Sequence, residues 1–308
     1  MIVNIIVLII GLSLLIFSAN IFVDSATSIA DNFKVPKMII ALTIASFCTC
    51  TPELAISFNS IMTQNYDVTL ANVMGSCVVN ILLIVGIASI VKPIRIKTVT
   101  VSKELPLLAI TTILFCLLFI DNALSRIDAI VLLLLFVEFC IYLYKMFKKF
   151  KKVNEEIPKY DKKTSIILTI ISLILITLSS ELVVDSTLFI SESLNISAKL
   201  ITMVVIVIGT SLPELVITVT SAKKSEFDMT IGNIVGTNIF NICIVLGLPI
   251  LIFGGVTSFN FNYTDLIVIS IAATLFFYLS KSEREISRLE GVLMVFLFLA
   301  YYVYLFLN

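Results

Sequence analysis

Two short segments of this 308-residue chain carry the side chains best suited to chemistry. CTCTPEL, from Cys48 to Leu54, and GTSLPEL, from Gly209 to Leu215, each set a glutamate directly after a proline inside a long apolar run. A proline within a helix removes an amide donor and crowds the carbonyl four residues earlier, here Cys48 and Gly209. Both helices are therefore expected to kink or break, with carbonyl oxygens freed. Spacings of three, four and seven share one helix face, which aligns Ser46, Thr49 and Glu53 in one segment and Val207, Thr210 and Glu214 in the other. ANVMGSCVVN (Ala71 to Asn80) and GNIVGTNIFN (Gly232 to Asn241) repeat Asn72, Ser76, Asn80 and Asn233, Thr237, Asn241 every fourth residue, with Gly75 and Gly236 allowing close helix approach. Two carboxylates with hydroxyl, amide and carbonyl oxygens suit a hard cation. Ca²⁺ accepts about six to eight oxygens in a tolerant geometry, whereas Mg²⁺ demands a tight octahedron.

An ionised carboxylate deep in an apolar span is costly and marks a pathway or a partner. No lysine or arginine lies within either helix near Glu53 or Glu214, so the missing counter-charge is read as a transported ion, against the alternative of structural burial in protonated form. Asn72, Asn233, Ser57 and Thr218 fit equally well as interhelical glue. Glu138, near the inner end of its helix, is expected to pair with Lys145 or face water, and Asp24 and Asp185 to act as caps or interface partners. The tail YYVYLF, Tyr301 to Phe306, reads as an interfacial belt.

The elements that position these residues follow from composition: 59% hydrophobic, 14% charged, with a mean hydropathy of +1.12. That is a membrane protein, in contact with the lipid bilayer. The 21 basic and 21 acidic residues balance, so nothing draws the chain to nucleic acid, and with no histidine the triads built on it are excluded. Cys48, Cys50, Cys77, Cys116, Cys140 and Cys243 all fall in apolar segments and read as free thiols. The apolar start has no basic residue before Lys34 and no small-residue cleavage site, so it is expected to be the first span rather than a signal peptide. At roughly 20 residues per crossing, ten transmembrane helices are expected, near 2–30, 36–62, 68–91, 104–120, 127–147, 164–190, 198–222, 229–252, 264–280 and 289–307. Alternate loops then hold 19 of the 21 basic residues, leaving only Arg126 and Lys199 on the other side. Because positive loops stay cytoplasmic, the chain is expected to be a multi-pass cell-membrane protein with both termini extracellular and the charged linker 148–163 cytoplasmic.

A shift of 161 residues superposes VDS at Val23 to Ser25 on VDS at Val184 to Ser186, Thr49, Pro52, Glu53 and Leu54 on Thr210, Pro213, Glu214 and Leu215, and Asn72, Gly75 and Asn80 on Asn233, Gly236 and Asn241. This is a duplication. Five spans per half is an odd number, so an all-α fold of two inverted five-helix repeats is expected, 1–147 and 164–308, with a site at the midplane.

With these motifs the chain resembles the calcium/cation antiporter superfamily, most closely its prokaryotic-type sodium/calcium exchangers. GTSLPE at Gly209 to Glu214 and GNIVGTNIFN carry the family's alpha-repeat pattern, and the resemblance spans the whole membrane region. It implies a secondary antiporter in which Na⁺ drives Ca²⁺ by alternating access, without a cofactor or an obligate protein partner. By position it also implies ligands from Glu53, Glu214, Thr49, Thr210, Ser211, Ser76, Thr237, Asn80 and Asn241, with main-chain carbonyls from Ser46 and Val207. Repeat one departs from the pattern: Cys48 replaces a glycine, Ala71 another, and Cys50 the serine matching Ser211, a softer ligand than hydroxyl. Asn241 stands where potassium-dependent relatives carry aspartate. Rival readings are H⁺ as coupling ion, a softer metal (Mn²⁺, Cd²⁺ or Zn²⁺) selected by Cys48, Cys50 and Cys77, an intramembrane hydrolase built on Cys50, and a channel.

Overall fold

In lipid a chain satisfies its backbone hydrogen bonds within helices, and helices dominate the computed structural model, which describes residues 2–150, 157–193, 207–258 and 263–307. In chain order they are α1 (Ile2–Phe33), α2 (Lys37–Thr49), α3 (Thr51–Met62), α4 (Tyr66–Val91), α5 (Thr98–Leu118), α6 (Arg126–Phe150), α7 (Lys162–Ser193), α8 (Val207–Thr210), α9 (Leu212–Lys223), α10 (Phe227–Phe253), α11 (Tyr263–Ser282) and α12 (Arg288–Leu307). Among the described residues eight helices are long and apolar enough to cross a membrane, and α2 with α3, bent by 45°, form a ninth. The expected span 198–222 begins outside the described residues; α8 and α9 are its later part.

The long helix of the fourth span begins at Glu104, the expected start, and a short helix, Thr98–Ser102, precedes it across an interruption at Lys103 (φ −132°, ψ −64°), where the ring of Pro106 opposes the carbonyl of Ser102. Four two-residue strands were not anticipated: β1 (Ile94–Arg95), β2 (Ala123–Leu124), β3 (Val256–Thr257) and β4 (Glu285–Ile286). β1 pairs antiparallel with β4, and β2 with β3, so each ladder joins a segment before the 148–163 stretch to one after it.

Local features recur along the chain. α3 and α9 end alike: Gln64 (φ 57°) and Ser225 (φ 64°) are left-handed, followed by Asn65 N–H to Ser60 carbonyl (2.7 Å) and Glu226 N–H to Ser221 carbonyl (2.9 Å). These bonds close both helices as C-caps. Capping boxes at Ser125–Asp128 and Ser287–Glu290 open α6 and α12. The strands, the boxes and the bonds Ile96 N–H to Arg284 carbonyl and Ser258 N–H to Asn122 carbonyl repeat at a shift of 162. The shift between matching features thus rises from 161 to 162 between the pairs Gly86/Gly247 and Val91/Phe253.

α4 and α10 are the innermost helices, 78% and 83% buried over their apolar windows, against 17% for α12 and 22% for α6. α1 and α7 pack together, with Ser25 and Thr169 hydroxyls bonded at 2.9 Å. Asp24, expected as a cap or interface partner, is the latter: it sits inside α1 and pairs with Lys159 (2.6 Å) and Lys224 (2.5 Å), while Asp185 is exposed. Glu138 is exposed, and Tyr301 of the aromatic tail donates to Asp265 at 2.8 Å.

Gly236 sets how closely α10 meets α2. A Cβ there would collide with Ser46 Oγ and lie 2.9 Å from Leu42 Cα and 3.0 Å from its carbonyl oxygen. Backbone cannot swing aside as a side chain can, so Gly236→Ala is expected to cost about 1–3 kcal/mol. A melting curve of the detergent-solubilised variant measures this; an unchanged midpoint would show the contact to be loose.

Candidate functional site

The two proline segments break as their sequence demands. Cys50 (φ −79°, ψ 0°) ends α2 and precedes α3; Ser211 (φ −91°, ψ 8°) stands in the same place between α8 and α9. Pro52 and Pro213 occupy the first turn of the new helices, where an amide hydrogen is not needed. Glu53 and Glu214 follow in that turn, at the helix end whose free amides carry partial positive charge, and both are fully buried. Each carboxylate feels the other's charge, and Cys50 lies near both.

The expected freeing of the Cys48 and Gly209 carbonyls is corrected. A backbone N–H of the break bonds to the Cys48 oxygen, and the Ser180 hydroxyl of α7 reaches the Gly209 oxygen at 3.4 Å. The Ser46 carbonyl likewise accepts from Cys50 N–H (3.1 Å) and from the Thr49 hydroxyl (3.3 Å). Thr49 also lies beside Glu214, so rotation of one hydroxyl toward the carboxylate would leave the Ser46 oxygen with the Cys50 amide as its one donor.

The inner helices supply the neutral oxygens. Ser76 and Asn80 of α4 and Thr237 and Asn241 of α10 are all fully buried, and the asparagines stand where each helix widens into π-turns, Val79–Val85 and Asn241–Leu246. Such turns are frequent at functional sites. Several contacts bind these helices to the broken ones. Asn72 donates to the Glu53 carbonyl at 3.2 Å, Ser46 Oγ to the Asn233 carbonyl at 3.2 Å, and Cys50 Sγ to the Thr237 carbonyl at 3.7 Å. Asn233 donates to Thr218 at 3.1 Å, the glue role, whereas the Ser57 hydroxyl is unpartnered.

Nine buried oxygens on the expected ligand residues have no hydrogen-bond partner: both of Glu53, both of Glu214, and one each from Ser76, Asn80, Ser211, Thr237 and Asn241. Buried polar atoms are normally satisfied, and a concentration of orphaned acceptors around two carboxylates is what a bound cation would complete. Thr210, the last residue of α8, is half-buried; Val207 begins that helix. Cys50 is buried with its thiol turned to a carbonyl, Cys48 is half-buried, and Cys77 lies near Cys116 and Cys243. Among the described residues no three of His, Cys, Asp and Glu converge as a metal-binding group. Asn238, also fully buried with an unpartnered oxygen, was missed in sequence; its place beside Thr237 in an asparagine-rich run was the available signal.

The model for the sodium/calcium exchanger protein family matches residues 3–145 and 164–307. The chain is 34% identical over 318 residues to the putative antiporter CaxA of Alkalimonas amylolytica, covering 99% of each. It is 28% identical over 347 residues to the sodium/calcium exchanger MaX1 of Methanosarcina acetivorans, again 99% of each. A solved structure of the sodium-calcium exchanger NCX_Mj, soaked with zero Na⁺ and Ca²⁺, superposes with a TM-score of 0.86 at 29% identity, covering 100% of this chain and 99% of that one.

Glu53→Gln and Glu214→Gln keep side-chain volume and remove one charge each. Both variants are expected to fold, with melting midpoints at or above that of the parent because the carboxylates no longer repel. Each should bind Ca²⁺ about a hundredfold more weakly. Equilibrium binding of radioactive Ca²⁺ measures the loss; undiminished binding would remove the pair from the site.

Proposed function

The chain belongs to the sodium/calcium exchanger protein family, and from that premise we propose that it exchanges Na⁺ for Ca²⁺ by alternating access. At the coarser level it is a multi-pass membrane antiporter of the exchanger type. The observation that carries the finer reading is the set of nine orphaned oxygens around Glu53 and Glu214. One Ca²⁺ takes about six to eight oxygens, so the set exceeds one ion's needs and suits several Na⁺ at overlapping positions. A proton would need only the carboxylates, which is why Na⁺ is the proposed coupling ion.

In this reading Glu53 and Glu214 neutralise either one Ca²⁺ or much of the charge of several Na⁺. Thr49, Thr210, Ser211, Ser76, Thr237, Asn80 and Asn241 complete the shell, Ser46 and Val207 offer main-chain oxygens, and Cys50 takes a serine's place. Occluding the empty site would bury two uncompensated charges. The carrier therefore switches sides only when loaded, and obligatory exchange follows. α1 and α7 are proposed to slide as the moving pair.

We assign ten spans to two inverted halves, 1–147 and 164–308, joined by the linker 148–163, with cytoplasmic linker and extracellular termini. The matching helix caps and capping boxes and the ladders that pair β1 with β4 and β3 with β2 support the inversion; the one-sided lysines and arginines support the orientation.

Three measurements test this. Radioactive Ca²⁺ uptake into proteoliposomes is expected under an opposing Na⁺ gradient and not under a K⁺ or H⁺ gradient; uptake driven by H⁺ alone would replace Na⁺ as the coupling ion. A cysteine placed in the linker should react with impermeant reagents only from the cytoplasmic side, and labelling from outside would invert the topology. Cys50→Ser restores a hard oxygen and should lower the Na⁺ concentration for half-maximal exchange several-fold; an unchanged value would assign Cys50 to packing.

A further inference from the structure

A second cavity, of about 450 Å³, opens among the basic loops of the linker's face. It shares no residue with the central site. Pro36, Lys37 and Met38 at the start of α2, the β1 segment, the start of α5 and the residues opening α10 form its walls. Most of its charges are matched: Lys37 holds both oxygens of Glu226 at 3.0 and 3.1 Å, Arg95 reaches Glu285 at 3.2 Å, and Lys97 reaches Asp228 at 2.7 Å.

Glu104 is the exception. It lines the cavity yet is itself fully buried. One of its oxygens accepts from the Tyr142 hydroxyl and the other, Oε2, has no partner. Asp228 is close enough for its charge to act on Glu104, and Thr100 also lines the wall. Two carboxylates and a hydroxyl thus line the same cavity, one of them with an unpartnered oxygen. Lys97, the ammonium paired with Asp228, is 71% exposed, so it can turn to water without breaking the wall.

We propose that this cavity binds a hard divalent cation, distinct from the transported ions, through Glu104, Asp228 and Thr100. Two carboxylates balance its charge, Tyr142 orients Glu104, and Lys97 competes for Asp228 as a tethered cation. The ion enters from the linker's side of the membrane.

Tb³⁺, a luminescent substitute for Ca²⁺, tests this because the chain has nine tyrosines and no tryptophan, so excitation reaches the ion through tyrosine. In the full-length Glu53→Gln, Glu214→Gln double variant, saturable luminescence displaced by Ca²⁺ is expected. Adding Glu104→Gln, which keeps volume and the acceptor for Tyr142, should abolish it, and adding Lys97→Gln instead should tighten binding several-fold. In the otherwise native chain Glu104→Gln should remove one bound radioactive Ca²⁺ and leave the portion that depends on Glu53 and Glu214, which keeps failure of this site apart from failure of the central one. Luminescence of equal amplitude and affinity with Glu104→Gln would overturn the proposal. So would its absence from a double variant that melts cooperatively.

Discussion

Two carboxylates buried together with no basic side chain between them are the constraint on which this molecule is built. Ionised groups in an apolar interior cost several kcal/mol each unless compensated, and Glu53 and Glu214 repel one another as well. The surrounding architecture supplies partial compensation. Each glutamate sits in the first turn of a helix created by a break, so free amides point toward it. Asn72 pins the Glu53 backbone, and small residues at the α2–α10 crossing bring hydroxyl and amide oxygens within range. What remains uncompensated is the share a cation provides.

The faces of the molecule are not fastened alike. Five ion pairs tie segments on the linker's face: Lys37 to Glu226, Arg95 to Glu285, Lys97 to Asp228, and Asp24 to Lys159 and Lys224. The counterpart of the Arg95–Glu285 strand pair is Thr257 opposite Ala123, which carries no charge, and Asp67 is held there by the Ser258 hydroxyl. Among the described residues the linker's face is thus held by ion pairs, whereas the β2–β3 ladder is closed by a pair without charge. Most of these pairs are exposed enough to contribute little singly, and the half-buried Lys37–Glu226 pair is the strongest candidate for an energetic difference.

Local chemistry made the central site legible. A proline followed by glutamate in an apolar run announces both a break and a charge, and fourfold spacing in the asparagine segments puts oxygens on one face without knowledge of the fold. Tertiary packing decided the rest. Whether the Gly209 carbonyl stays free depends on Ser180, which arrives on a different helix. Glu104 looks like an interfacial charge beside Lys103 until Tyr142, 38 residues later, covers it. Two-residue strands have no alternating pattern to detect, and the change from a shift of 161 to one of 162 lies beyond the last motif that the 161-residue shift aligns. The thiol at Cys50 was visible as a departure, but its turn toward the Thr237 carbonyl was not.

The cross-paired ladders have a bearing on biosynthesis. β1 leaves the ribosome 192 residues before Ile286, the partner of Ile94, exists. At roughly 5–20 residues per second, the early strand waits about 10–40 s with its edge unpaired. The first half of the chain is thus threaded into the bilayer as an unfinished object, and its closure is deferred until translation is nearly complete. A ribosome that stops after the linker leaves a fragment with open strand edges and half a charge cage, the kind of nascent chain that membrane quality control is built to remove.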